Sequence, residues 1–328
     1  MIPNPAHKVP LTNRPNKIIK TFCLLPTLTD KSCSPPGFGM TELFKPQLTG
    51  DGSFTFFSPE FEETFHSHYG AQQEALEKFV LPCQLGEKAV QSSLKLLDIC
   101  YGLGYNSAIA LEKIWQVNPH CLVELIGLES DIRVPCQAIK HQLLSQYQAP
   151  VPELLQELAT KQKVKTSKLT AKLIIGDARK TIAQVANSDF KAEAIFLDPF
   201  SHPKCPQLWT VEFLTVVASV LQPQGILATY SSAASVRKAL LLAGLKIGST
   251  PPFDSGRRSP GTVASWGKSE IYPLSTKEKE HLQTRAAVPY RDLQLKDEPE
   301  TIRERRKQEQ QNSSLEPTTQ WKKRFRTR

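Results

Sequence analysis

Two segments of this chain end in the same way. Residues 94–106 read L-K-L-L-D-I-C-Y-G-L-G-Y-N and residues 192–204 read A-E-A-I-F-L-D-P-F-S-H-P-K. Each is an apolar run that stops at an aspartate and passes into turn-forming residues. A strand without polar alternation is buried on both faces, as in a parallel sheet covered by helices on either side. Such sheets bind ligands outside the carboxyl ends of their strands, where Asp98 and Asp198 would both lie.

The rest of the chain keeps the same rhythm. Apolar runs at 122–128, 171–176 and 225–230 alternate with helical periodicity near 106–116, 134–147, 178–187, 208–221 and 233–243. This predicts an α/β, doubly wound and mostly parallel sheet, with hairpin strands near 245–249 and 262–267 forming an antiparallel edge. Ahead of it, Gly50-Asp51-Gly52 turns a small hairpin. Ala71, Ala75, Leu76 and Phe79 follow at helical spacing, closed by Pro82. Residues 1–40 are rich in Pro, Asn, Thr and Ser without apolar period and read as disordered. The domain is expected over 41–275. From 276 to 328 the chain turns polar and reads as a charged, flexible tail, within which Glu298 to Gln311 is either a charged helix or disorder.

Charge is concentrated at the ends. Of the net +9, residues 1–40 and 286–328 supply +4 each, leaving +1 for 41–285. Trp321 to Arg328 holds five basic residues, two aromatics and no acid. Cationic arms with aromatics suit a polyanion such as nucleic acid; a solvating tail is the alternative. No apolar run reaches the roughly 20 residues of a membrane span, and no signal-like apolar stretch opens the chain. The seven cysteines include no C-x-x-C pair. No metal site is expected, and reduced thiols in cytoplasm are the favoured reading.

The first site is the turn after Asp98. Gly102 and Gly104 permit close backbone approach to a ligand, but Ser107 stands where a dinucleotide fingerprint needs its third glycine. An acid four residues before the first glycine resembles S-adenosylmethionine-dependent methyltransferases, whose cofactor is cationic and lacks a pyrophosphate. Asp98, Tyr101, Gly102, Gly104 and Asn106 are therefore cofactor candidates. Glu129 ends the second strand, where a carboxylate can accept both ribose hydroxyls. Asp177 and the N–H of Ala178 follow the third, within reach of an adenine edge. Each acid alone is as readily a helix N-cap; three at successive strand ends argue for a site. The second site is Leu197-Asp198-Pro199-Phe200-Ser201-His202-Pro203-Lys204. An amine acceptor must be neutral to attack, and a carboxylate beside it orients the amine and takes its proton. Asp198 is the expected catalytic residue.

Several blocks then resemble one family. T-G-D-G-S-F-T-F-F-S-P-E (49–60), E-T-F-H-S-H-Y-G-A-Q-Q-E-A (63–75), L-D-I-C-Y-G-L-G-Y-N (97–106), I-F-L-D-P-F-S-H-P-K-C-P-Q-L-W (195–209) and L-A-T-Y-S-S-A-A-S-V-R-K-A-L (227–240) resemble the methyltransferase domain of the MnmC family. That family completes methylaminomethyl-uridine at the tRNA wobble position. The resemblance covers about 45–270 and excludes the family's flavin-dependent oxidase half. It implies S-adenosylmethionine as cofactor, tRNA as partner, and 5-aminomethyl-(2-thio)uridine as acceptor; a methyl- or aminopropyltransferase on another, polyamine-like amine and a non-catalytic RNA-binding relative are the alternatives. The aminomethyl or carboxymethylaminomethyl group would come from upstream enzymes. His66, Gln73 and Glu74 would shape the pocket, although His66 and His68 read equally as surface histidines. Tyr101, Phe200, Trp209 and Tyr230 are candidates to sandwich a splayed base, with core packing favoured for Trp209. Arg237, Lys238, Arg257, Arg258, Lys322, Lys323 and Arg324 would contact phosphates. Pro199 stands where the family has glycine and extends the backbone at Asp198.

Overall fold

The computed structural model describes residues 44–251 and 260–326. Two short antiparallel pairs come first: β1 (Gln47–Leu48) with β2 (Phe54–Thr55), and β3 (Phe57–Ser58) with β4 (Glu63–Thr64). The first pair closes through the expected glycine turn, where Asp51 accepts from Thr49 Oγ1 and from the Ser53 N–H, each at 3.0 Å. Helix α1 (Ala71–Ala75) continues into a π-helical turn over Leu76–Val80, and α2 (Leu85–Lys88) follows.

The sheet begins with β5 (Ser93–Ile99), whose Leu94, Leu96, Leu97, Asp98 and Ile99 are buried on both faces as the apolar run requires. Then come α3 (Tyr105–Val117), β6 (Leu122–Glu129), α4 (Arg133–Lys140), α5 (Val151–Lys161), β7 (Lys163–Lys165) and β8 (Leu169–Ile175). The second half adds α6 (Ala178–Ala186), β9 (Ala192–Leu197), a 3₁₀ turn over Pro206–Trp209, α7 (Val211–Ser219) and β10 (Leu221–Thr229). α8 (Ala234–Leu242), β11 (Lys246–Ser249) and β12 (Thr262–Ser265) complete it. The strand order is β11-β12-β10-β9-β5-β6-β8-β7. The five central strands are parallel; at the edges β7 pairs antiparallel with β8, β12 with β10, and β11 with β12. The apolar pattern predicts only one antiparallel edge, because β7, three residues long, carries too short a pattern to read.

The order of winding reverses between the parallel neighbours β5 and β9. From β5 the chain winds outward through β6 and β8, then returns to β9 on its other side. Crossovers leave that point in opposite directions and open a crevice at the strands' carboxyl ends. Asp98 and Asp198 end these two neighbouring strands, and the Asp198 N–H donates to the Ile99 carbonyl at 3.1 Å.

The segment from 276 onward corrects an expectation. It folds as α9 (Thr276–His281), a 3₁₀ turn at Arg285–Ala287, α10 (Pro299–Asn312) and α11 (Thr318–Arg326). A few anchors hold it: Tyr290, Asp292, Ile302 and Trp321 are buried, and the Tyr290 carbonyl accepts from the Val211 N–H at 3.1 Å. The Arg306 guanidinium lies 4.5 Å over the Tyr290 ring. Docking rests on scattered aromatic and charged contacts, so no apolar period announces it. No helix among the described residues is long and apolar enough to cross a membrane.

Candidate cofactor and acceptor site

A cavity of about 850 Å³ occupies the crevice. One wall comes from the strand ends: Cys100, Gly102, Glu129, Asp177, Ala178 and Asp198. The opposite wall is the β3–β4 flap, with Phe61, Glu63, Phe65 and His66, and Glu74 of α1. Phe200 and Tyr230 line it beside Asp198.

The glycine turn works as a backbone device. Gly102 has φ +57° and donates its N–H to Glu129 Oε2 at 2.8 Å. Gly104 has φ +88° where α3 begins, and a Cβ there would meet Tyr101 Oη at 2.8 Å. Cys100 holds φ +65°, a left-handed conformation that strains a side-chain-bearing residue by about 1–2 kcal/mol. Glu129 Oε1 also accepts the Asp131 N–H at 2.9 Å. Burial pushes the Glu129 carboxyl upward, and these N–H groups oppose it. Oε1 also takes the Ser130 hydroxyl at 3.2 Å, so Oε2, with one donor, keeps a lone pair for a ribose hydroxyl.

Asp177 caps α6 by accepting the Arg179 N–H at 2.9 Å and pairs with the Arg179 guanidinium at 2.9 Å. The same guanidinium reaches the fully buried Asp292 at 2.9 Å, tying the C-terminal segment to the cavity wall.

Asp198 receives Asn106 Nδ2 on Oδ2 at 2.8 Å. Burial pushes its carboxyl well above the usual range, Glu74 and Asp98 push the same way, and the Asn106 amide opposes them. The Tyr230 hydroxyl donates to the Pro199 carbonyl at 2.9 Å, and Trp209 Nε1 donates to the Phe200 carbonyl at 2.9 Å. Both bonds fix the Asp198-Pro199-Phe200 loop. Pro199 leaves Asp198 without a following N–H, so its partner comes from α3 instead.

The flap closes on that loop. Phe61 stacks on Phe200 at 4.3 Å and 15°, and Phe65 meets Phe200 edge-on at 5.0 Å. Glu63 accepts from Ser201, and Glu62 pairs with Lys204. Nothing in the linear pattern of this aromatic run assigns Phe61, Glu63 or Phe65 to the site. Only the pairing of β3 with β4 brings them there.

Several expected residues lie elsewhere. Asp98 is fully buried beneath the turn, accepts Ser107 Oγ at 2.7 Å and does not line the cavity. Burial pushes its carboxyl up to about 7. Tyr101 is buried against Gly104 and Gly127 and belongs to the core, as does Trp209. Gly104 and Asn106 support the wall from behind. Gln73 turns to Glu77 at 2.6 Å, whereas Glu74 accepts the Ser67 N–H at 2.8 Å and faces the cavity. His66 lines it with Nδ1 3.2 Å from Thr55 Oγ1, and burial lowers it to about 4.

The phosphate candidates divide likewise. Arg237 is buried, not surface-facing, and pairs with Glu278 of α9 at 2.7 Å. Lys238 is half-buried, and Lys322, Lys323 and Arg324 are exposed on α11. Arg324 is paired with Glu316 at 2.7 Å. Arg257 and Arg258 lie outside the described residues. No group of acids, histidines and cysteines among the described residues has the arrangement of a metal site.

The donor set fits a cationic nucleoside cofactor. Glu60, Glu62, Glu63, Glu74, Glu129, Asp177 and Asp198 line the cavity. Among the described residues, the basic side chains in its wall are two histidines and Arg179, already tied to two carboxylates. Such a wall repels a pyrophosphate and attracts a sulfonium.

A family model described as S-adenosyl-L-methionine-dependent methyltransferase matches residues 137–266. The chain is similar to the uncharacterized protein MJ0670 of Methanocaldococcus jannaschii, 28% identical over 75% of this chain and 67% of that one. It is similar to the tRNA 5-methylaminomethyl-2-thiouridine biosynthesis bifunctional protein MnmC of Paracidovorax citrulli, 30% identical over 60% of this chain. The match spans 32% of that bifunctional protein, about a third of its length. Among solved structures, MnmC2 from Aquifex aeolicus superposes with a TM-score of 0.72 and 36% identity, over 82% of this chain and 86% of that one. The fold, the acid-walled cavity and this likeness agree: the chain belongs to the MnmC2 family of S-adenosyl-L-methionine-dependent methyltransferases.

Proposed function

We propose that the chain methylates the primary amine of 5-aminomethyl-(2-thio)uridine at the wobble position of tRNA. The observation that carries this reading is Asp198, held by Asn106 at the cavity wall between Phe200 and Tyr230. When bound, S-adenosylmethionine supplies an electrophilic methyl group. Gly102, Glu129, Asp177 and Ala178 would hold its nucleoside part. Asp198 accepts the proton of the incoming ammonium and holds the freed amine by hydrogen bond. A carboxyl raised by burial is the stronger base for that step. Phe200 and Tyr230 flank the base, while the flap keeps water from the reacting atoms. His66 stays neutral at physiological pH and Glu74 adds negative charge beside the amine. Lys322, Lys323 and Lys238 would contact tRNA phosphates. Reactions that install the aminomethyl group must precede this one.

A polyamine acceptor is the second reading, favoured by the seven carboxylates of the wall. Incubation of the chain with labelled S-adenosylmethionine, tRNA bearing 5-aminomethyluridine, unmodified tRNA and free polyamines separates the two. Label confined to the aminomethyl tRNA supports the proposal; label in polyamine alone overturns it.

A further inference from the structure

The sheet carries a row of lysines that the whole-chain charge count hides. On β7 and β8 the residues Leu169, Ala171, Leu173 and Val164 are buried, and the alternate positions Lys163, Lys165, Thr170 and Lys172 are exposed on the opposite face. In register, Lys163 faces Lys172 and Lys165 faces Thr170. Lys168 stands in the turn joining the strands, and Lys180 is exposed on α6.

Like charges directly opposite each other destabilise a strand pair. Yet among the described residues no ion pair joins Lys163, Lys165, Lys168 or Lys172 to a carboxylate; the nearby Glu124 of β6, opposite Thr170, is engaged by Lys95 at 2.9 Å. Lysines on an edge strand also deter pairing with another chain. That accounts for Lys163 and Lys165 on β7. It does not account for Lys168 in the turn or for Lys172, which is in the strand behind the edge.

β8 runs from this row straight to Gly176 and Asp177 at the cavity. At about 3.3 Å per residue, Lys172 lies about 17 Å from Asp177 along the strand. A polyanion whose reacting unit enters the cavity would therefore cross these lysines with its flanking backbone.

We infer that the Lys163–Lys165–Lys168–Lys172 face of the β7–β8 hairpin binds the phosphate backbone of the tRNA whose wobble base occupies the cavity. The inference rests on the proposed tRNA substrate and adds the surface that holds it. Ammonium groups on phosphates release counterions, so binding here must depend on salt.

The test measures tRNA affinity of the full chain across a series of salt concentrations, for the wild type and for the combined K163Q, K165Q, K168Q and K172Q variant. The glutamine variant should bind roughly tenfold or more weakly, with a log–log salt slope flatter by about 3 (about 0.7–0.9 for each ammonium–phosphate pair removed). Its methylation of the free aminomethyl nucleoside should be unchanged, and the matching four-arginine variant should keep wild-type affinity. Equal affinity and slope in the glutamine variant overturn the inference alone, as does self-association with unchanged tRNA affinity. If the wild-type chain neither binds nor methylates tRNA, the substrate reading falls and the inference falls with it.

Discussion

Asn106 donates to Asp198 at 2.8 Å, so the first helix residue but one after the glycine turn holds the acid at the end of the neighbouring strand. The two sequence motifs are thereby one unit. The amide stabilises the charged form of Asp198 against burial, the larger effect, and against Glu74 and Asp98. Asn106→Ala should raise the Asp198 carboxyl further and move the acidic limb of the kcat profile to higher pH. Affinity for S-adenosylmethionine should change little. A pH–rate profile that does not move would separate Asp198 from the base role.

Cys100 adopts φ +65° where a glycine would be unstrained. Cys100→Gly should therefore be neutral or stabilising by up to about 1 kcal/mol, despite the greater freedom of glycine in the unfolded chain. Thermal unfolding checks this; a loss above about 2 kcal/mol would mean that packing around the thiol outweighs backbone strain.

Phe61 and Phe200 stack at 4.3 Å and hold the flap against the acceptor loop. Such a pair contributes about 0.5–1.5 kcal/mol beyond area burial. Phe61→Ala should speed release of S-adenosylhomocysteine by roughly 2- to 10-fold in stopped-flow, with the melting temperature little changed. An unaltered release rate would show that the flap does not gate the cavity.

The buried Arg237 pairs with the half-buried Glu278 at 2.7 Å. Burial raises the Glu278 carboxyl, but the Ser275 N–H, the Ser249 and Ser275 hydroxyls and Arg237 together bring it down to about 2. Its folded value lies below the ordinary 4.5, so its stabilising contribution is complete above pH 4.5 and fades as pH falls toward 2. Removing one partner of a fully buried pair costs about 3–5 kcal/mol, and the solvent contact of Glu278 cuts this to about 1–3 kcal/mol. Arg237→Met should therefore lose stability of that order at pH 7, with a smaller loss near pH 3. Its salt dependence of tRNA binding should match the wild type. A variant of normal stability with weakened RNA binding would return Arg237 to the surface role suggested by sequence.

The strand-end acids are legible in the sequence because a parallel strand is an uninterrupted apolar run and its last polar residue stands out. Depth is not legible. Asp98 and Asp198 have the same sequence context, but the turn after Asp98 folds over it, whereas the loop after Asp198 is pulled aside by Tyr230 and Trp209. Arg237 reads as a surface residue for a similar reason. Its partner Glu278 lies 41 residues away in a segment whose composition suggests a flexible tail. The β7–β8 lysines stay hidden because their charge cancels in any sum over the domain and only strand register sets them side by side.

The proposed chemistry depends most on Asp198 taking the proton of the amine. Single-turnover transfer from S-adenosylmethionine to aminomethyl tRNA, measured for Asp198→Asn beside its affinity for the cofactor, tests this directly. The expected result is a rate lowered about 10²- to 10⁴-fold with cofactor affinity unchanged. A rate within about threefold of wild type would contradict it.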